Sequence, residues 1–293
     1  MVTATPSFAR RPLGRTGLQV TPLGLAALAV PAWRPGGSAL RAADVERAFH
    51  EHGVNTFLAH PLMKELCVGV KNLIAKGHRS ELVLVSETGL PFAGAVRRDF
   101  EKNLAILGTD YLDVFLVGWV RNRWFVRDAV WGTLRRFRAD GRVKAIGFSS
   151  HDRPLAAKLA VELDADVLMI RYNAAHRGAE REVFAPLAAL GSKRPGIIAY
   201  TATRWGLLLK PLPKKGFAEA LSGAECYRFV LGHPMVDVVW CAARTAAELD
   251  ADVVGVGNGP LTGERRDYAV RFGDAVHRAA KGGFRWMFGK DAS

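Results

Sequence analysis

The sequence predicts a parallel (β/α)8 barrel of the TIM type, with an N-terminal β-hairpin and an extra C-terminal helix. Three observations carry this. Short apolar runs alternate with amphipathic stretches along the whole chain. Most of the runs are almost continuously apolar, as strands covered on both faces are. The 293 residues are enough for eight strand–helix units. A doubly wound open sheet would show the same alternation, but the chain has no strand–GxGxxG–helix unit and no phosphate loop.

The elements follow in order. RRPLGRTGLQVTPLGL reads as a hairpin turned at Gly14–Gly17, leading into a first barrel strand at Pro22–Leu28. The other strands are expected at Val54–His60, Glu81–Glu87, Leu112–Trp119, Val143–Ser150, Val167–Asn173, Gly196–Ala202 and Val236–Ala242. Among the helices between them, Gly94–Gly108 sets Phe100, Leu104 and Leu107 on one stripe. Arg127–Gly141 does the same with Val130, Leu134 and Phe137 and stops at a glycine. Gly257–Pro260 breaks the pattern, and the tail beyond it is helical with irregular periodicity. No linker divides the chain, so residues 1–293 are expected to form one domain.

Composition narrows the function. Hydrophobic residues at 49% and charged residues at 24% describe a globular chain and exclude a disordered one. The net charge of +13 favours an acidic partner: a phosphorylated ligand, an acidic protein or nucleic acid. The ordinary alternative is a basic solvated surface. The basic residues are dispersed, with no nucleic-acid motif, and Lys214–Lys215 is only a short pair. Cys67, Cys226 and Cys241 lack metal or redox spacing and read as buried free thiols. That usage, an N-terminus without an apolar signal core, and no apolar run of the roughly 20 residues a bilayer needs make the expected location cytoplasmic.

Local motifs go further. RPLGRTGLQVTPLGLA, GTDYLDVFLVGW, GRVKAIGFSSH, RYNAAHRGAEREV, IIAYTATRWGLLLK and RFVLGHPMVDVVWCAARTAAEL stand in this order over most of the chain. Together they resemble successive segments of the aldo/keto reductase superfamily. The resemblance implies a barrel that reduces carbonyls with NADPH. Its Tyr donates a proton as the cofactor delivers hydride, Asp and Lys lower the Tyr pKa, and His orients the carbonyl.

Transferred residue by residue, that tetrad falls on Leu58, Met63, Glu87 and Gly118. Leu, Met and Gly exchange no protons, and Glu87 reverses the charge of a lysine. No tyrosine occurs between Val54 and Glu87. For the cofactor, the resemblance places Ser149 and Ser150 at the nicotinamide amide, Tyr200 under its ring and Arg244 near the 2′-phosphate of NADP(H). Against these stand Met169 for a usual Gln, Glu248 for Arg or Gln, Asp252 for Asn, and Ala242 for Gly or Lys. Carboxylates near a phosphate pocket repel the ligand. The ordinary alternative is that Ser149, Ser150 and Tyr200 cap strand ends in this fold.

Other chemistry-bearing residues fall at or near strand ends: His60, Glu87, His151, Arg171, Asn173 and Arg204. Glu87 with His60 is the best acid–base pair on offer; the plainer alternative is Glu87 bound to an arginine and His60 a satisfied polar group. Arg121 and Arg123 with Trp119 and Trp124 suit an anionic or aromatic ligand or a protein interface. No metal-ligand cluster or nucleophile elbow appears. The expectation is a reductase barrel without its redox tetrad, acting as a non-redox pseudoenzyme that binds a small molecule at the barrel mouth or an acidic protein. The alternatives are a lyase or isomerase using Glu87 and His60, and an atypical NADPH-dependent oxidoreductase.

Overall fold

The computed structural model describes residues 8–26 and 40–280. Its centre is a closed barrel of eight parallel strands: β3 (Leu23–Leu25), β4 (Thr56–Leu58), β5 (Val83–Thr88), β6 (Leu112–Val120), β7 (Val143–Ser150), β8 (Val167–Arg171), β9 (Gly196–Tyr200) and β10 (Val238–Cys241). β10 pairs with β3 and closes the ring. All eight expected strands are present; most differ from the sequence ranges by a few residues at the ends, where apolar composition outlasts ladder hydrogen bonding. Residues 27 and 28 of the first expected strand lie outside the described residues.

Helices separate the strands: α1 (Ala42–His50), α2 (Lys64–Ala75), α3 (Ala93–Leu107), α4 (Asp128–Ala139), α5 (Arg153–Glu162), α6 (Ala185–Ala188), α7 (Gly223–Leu231), α8 (Ala246–Gly257) and the C-terminal α9 (Gly263–Ala280). Their ends follow local chemistry. Asp152 caps α5 by accepting from Leu155 N–H, and Ser222 and Glu225 form a reciprocal capping box on α7. α3 ends at Gly108, left-handed at φ 68°. The predicted stripes are buried: Phe100, Leu104 and Leu107 on α3, and Val130, Leu134 and Phe137 on α4. Phe100 stacks on Phe137 at 4.2 Å, joining the two helices over β6.

The hairpin of β1 (Arg11–Pro12) and β2 (Gln19–Val20) covers the N-terminal end of the barrel. Gly14, at φ 50°, lies so close to the start of β9 that an added Cβ would come within 2.2 Å of Gly196 N. Only glycine allows that contact. Around this end, strand-start residues accept a backbone N–H from the preceding barrel strand or its lead-in: Asn55 from Thr21, Asp113 from Leu84, Asp166 from Ile146, and Asp237 from Ile197. The three aspartates also meet cations: Arg79 and Lys144 on Asp113, Arg15 and Arg138 on Asp166, and Arg194 with two hydrogen bonds on Asp237. Among the described residues, no helix is long and apolar enough to cross a membrane.

Candidate functional site

Parallel strands bring their C-terminal ends to one face, where barrels of this kind carry their chemistry. Side chains alternate inward and outward along each strand, so register decides which of them meet. Trp240 of β10 lies beside Gly24, whose added Cβ would come within 2.5 Å of its ring. Its indole N–H donates to Met169 Sδ on β8, 3.1 Å away and two strands over. Side chains two strands apart meet that closely on the concave, inner side. Met169 pairs laterally with Ser149, and Arg171 with Tyr200. Val167, two residues before Met169, lies in a row with Gly147, Leu116 and Glu87. Leu58 pairs with Val85, two residues before Glu87. Leu58, Glu87, Gly118 and Ser149 thus share the inner wall with Met169, Arg171 and Tyr200. Met63 stands apart, as the buried residue preceding α2.

Glu87 and Gly118 touch. A Cβ on Gly118 would sit 3.2 Å from Glu87 Oε2 and 3.0 Å from Thr88 O. The Glu87 carboxyl occupies the room that a side chain at position 118 would need. Oε2 is buried with no hydrogen-bond partner among the described residues. Burial pushes the Glu87 pKa up to about 7.

No hydrogen bond or ion pair joins His60 to Glu87 among the described residues. His60 Nδ1 accepts from Leu62 N–H at 3.3 Å. Burial lowers its pKa, and the charges that bear on it are Asp99 and Lys102 of α3. The arginine that could have paired with Glu87 is absent among the described residues.

Three of the four expected cofactor residues, Ser149, Ser150 and Tyr200, are engaged within the chain through their hydroxyls. Ser149 Oγ accepts from Trp119 N–H at 2.8 Å, and Ser150 Oγ donates to Val120 O at 2.7 Å. Tyr200 Oη donates to Ser150 O at 3.0 Å, so its ring spans β8 from β9 to β7; Nδ1 of His151 is 3.3 Å away. Burial raises the Tyr200 pKa; Arg171 opposes this and Glu87 adds to it, which puts both charges within electrostatic reach of the hydroxyl. Met169 Sδ is taken by Trp240. Arg244 is exposed, and its backbone N–H donates to Glu248 Oε2 at 2.8 Å, at the start of α8. Asp252 does not face a ligand pocket, contrary to expectation. It is buried, with Cys241 Sγ donating to it at 3.7 Å, and Gly223 is packed so near that an added Cβ would lie 2.4 Å from Oδ1. Burial pushes Asp252 up to about 7. At the amide end Met169 replaces the amide-binding Gln and is taken by Trp240, and at the phosphate end Glu248 sets a carboxylate beside exposed Arg244, so the residues present fit NADP(H) poorly.

The loop after β6 is set by a bulge. Register shifts between Val117 and Val120, and Trp119, at φ 52°, turns outward to 46% exposure. Phe92 and Trp124 extend this aromatic rim, edge to face at 5.4 Å, with Arg127 3.9 Å over the Trp124 ring. Arg123 is used locally, donating to Val126 O, whereas Arg121 is exposed.

Sequence reasoning underrated the opposite side. Arg171 and Arg204 are buried at 7% and 3% exposure. Burial, then Arg171, lowers Arg204 to about 10. Burial, then Arg171 and Arg204, lowers His176 to about 2. Thr201, Arg204 and Trp205 all have left-handed backbone, φ 53–56°. For residues with a Cβ this costs roughly 1–2 kcal/mol each. Nothing in TATRW signals it, because the conformation is imposed by surroundings. Among the described residues, no group of His, Cys, Asp and Glu could hold a metal ion.

Comparison with known proteins agrees with this architecture. Residues 90–217 match the aldo/keto reductase family. A Pseudomonas aeruginosa protein assigned as an aldo-keto reductase superposes with a TM-score of 0.69 at 20% identity, over 88% of this chain and 99% of that one. The holo form of a Bacillus halodurans aldo-keto reductase gives 0.71 at 19% identity, over 90% and 96%. At these identities the likeness establishes the fold. No curated protein matches the sequence.

Proposed function

We propose that this barrel of the aldo/keto reductase kind has given up carbonyl reduction and acts as a non-redox protein that binds a small molecule at its mouth. The observation that carries the reading is the Glu87–Gly118 contact. With a carboxyl at 87 filling the space over 118, the site has neither the cation nor the imidazole that the inherited reaction uses. Leu58 on the same wall supplies no proton, and Met63 none from the start of α2. When bound to a family member, NADPH supplies hydride; here Met169 lacks the amide-binding group and Glu248 sets a carboxylate beside Arg244, so weak or no NADP(H) binding is expected. NADPH oxidation against a panel of aldehydes and ketones, across pH, is the direct test. No turnover is expected, and cofactor-dependent reduction of any member sinks the reading.

A second reading is favoured by one feature of Glu87. A buried carboxyl near pH 7, on the same wall as the Tyr200 hydroxyl, has the protonation behaviour of a general acid–base in a lyase or isomerase. His60 makes no hydrogen bond or ion pair with Glu87 among the described residues; its Nδ1 accepts from Leu62 N–H. An acidic protein partner for the basic surface is a further proposal, which the net charge of +13 supports.

A further inference from the structure

The charges around the barrel mouth do not balance. Arg171 ends β8 on the inner wall, two residues beyond Met169. It makes no ion pair among the described residues, and its Nε is buried without a hydrogen-bond partner. The acids that follow β8 are committed elsewhere. Glu182 holds Arg153 at 2.6 Å, and Glu180 accepts from the Tyr172 hydroxyl at 2.6 Å. Cations crowd the guanidinium instead: Arg153 and Arg204 both act on it. A buried charge without a counter-charge is among the least favourable arrangements a fold can keep. This chain pairs its buried aspartates at the other end, so Arg171 is an exception to its own pattern.

The surroundings of Arg171 point the same way. Thr201 Oγ1 and His176 Nε2 are also buried without partners. Asn173 ties their segments together, donating to Thr201 O at 2.8 Å and accepting from Ala175 N–H at 3.0 Å. The corner between β8 and β9 is therefore held in one piece, with left-handed backbone at Thr201 and Trp205. Strain of this kind persists where neighbours over-determine it, and it collects at ligand sites. The planar guanidinium fork matches a two-oxygen anion.

We propose that the β8–β9 corner of the mouth binds a small molecule through a carboxylate or phosphate group, with the Arg171 guanidinium as its counter-charge. The proposal deepens the non-redox reading and rests on it, because a nicotinamide over Tyr200 would compete for this corner.

The test is calorimetric titration and thermal unfolding of the full chain with benzoate, phenyl phosphate and neutral benzamide, all without NADPH. R171M removes the charge at similar volume, and R171K keeps it without the fork. Benzoate or phenyl phosphate is expected to bind and raise the Tm of the wild type, while benzamide does neither. R171M is expected to be at least as stable as the wild type without ligand, yet to bind the anion about thirtyfold more weakly or worse. R171K is expected to lose about tenfold with its fold intact, which tests the fork even if R171M fails to fold. The stronger of the two anions identifies the head group. Equal binding of benzamide, no binding of either anion, or undiminished affinity in the variants overturns the proposal. A ligand-free R171M that folds but melts lower than the wild type does so too, since Arg171 would then be structural. NADPH-dependent turnover would overturn the non-redox reading whether or not the anions bind, so the two failures are distinguishable.

Discussion

At the N-terminal end of the barrel, Asp113, Asp166 and Asp237 each accept a backbone N–H and each face one or more cations. At the C-terminal end, buried Glu87 faces no cation and buried Arg171 no anion among the described residues. The same eight strands and the same inward–outward alternation produce both ends. A closed end can satisfy its charges permanently, because nothing needs to enter. An open end that receives a ligand must leave some polar groups to be completed by it, and stability is lost in consequence.

The sharpest way to break this comparison is to disturb the satisfied end. D237A removes two hydrogen bonds to Arg194 and the acceptor for Ile197 N–H, and leaves a largely buried guanidinium unpaired. We expect a loss of about 3–5 kcal/mol in urea unfolding. A loss below about 1 kcal/mol would mean that the paired end is no more important to stability than the mouth.

The next effect is smaller and has the opposite sign. In the folded chain Glu87 keeps its proton to about pH 7, against 4.5 for the ordinary carboxyl. The folded state thus binds more protons between these values. The stability this group contributes is fully present below pH 4.5 and is lost as pH rises through 7. E87Q should therefore match the wild type near pH 4.5 and exceed it by on the order of 3 kcal/mol at pH 8. Denaturant midpoints measured at both pH values check this, and equal stability at pH 8 would show that Glu87 has a partner. Asp252, also pushed up to about 7, acts in the same direction in both proteins and cancels in the difference.

The smallest effect probes the contact inside the mouth. G118A places a methyl 3.2 Å from Glu87 Oε2 and 3.0 Å from Thr88 O, and should cost about 1–2 kcal/mol. In an E87A background part of that cost should vanish, giving a coupling of about 0.5–1 kcal/mol in a double-mutant cycle. Strict additivity would show that the two positions do not compete for space.

Some of this was readable beforehand. The hairpin turn was legible because Gly14 and Gly17 take left-handed φ, which the sequence signals by glycine itself. The aspartate ring was not read, although Asp113, Asp166 and Asp237 each stand at or just before a strand start; the signal lies in their recurrence from strand to strand. Glu87 is placed near the mouth in the sequence because it stands at the end of an expected strand. Its pairing with His60 did not follow, because His60 lies beyond the end of β4, where the chain leaves the barrel and parity no longer fixes direction. Trp119 and Thr201 carry no sign of their backbone strain, since Trp and Thr are both ordinary strand-forming residue types and a bulge or a neighbouring segment sets their φ.

The sequence by itself determined the barrel, the order of its elements and the lack of a tyrosine between Val54 and Glu87, because periodicity and composition are local properties. Tertiary structure alone decided that Glu87 fills the space over Gly118 and that Arg171 meets no counter-charge among the described residues. Those facts are distances between residues on different elements. Burial turns such distances into energies: a charge in water needs no partner, and inside the barrel mouth the missing partner dominates what the site can bind.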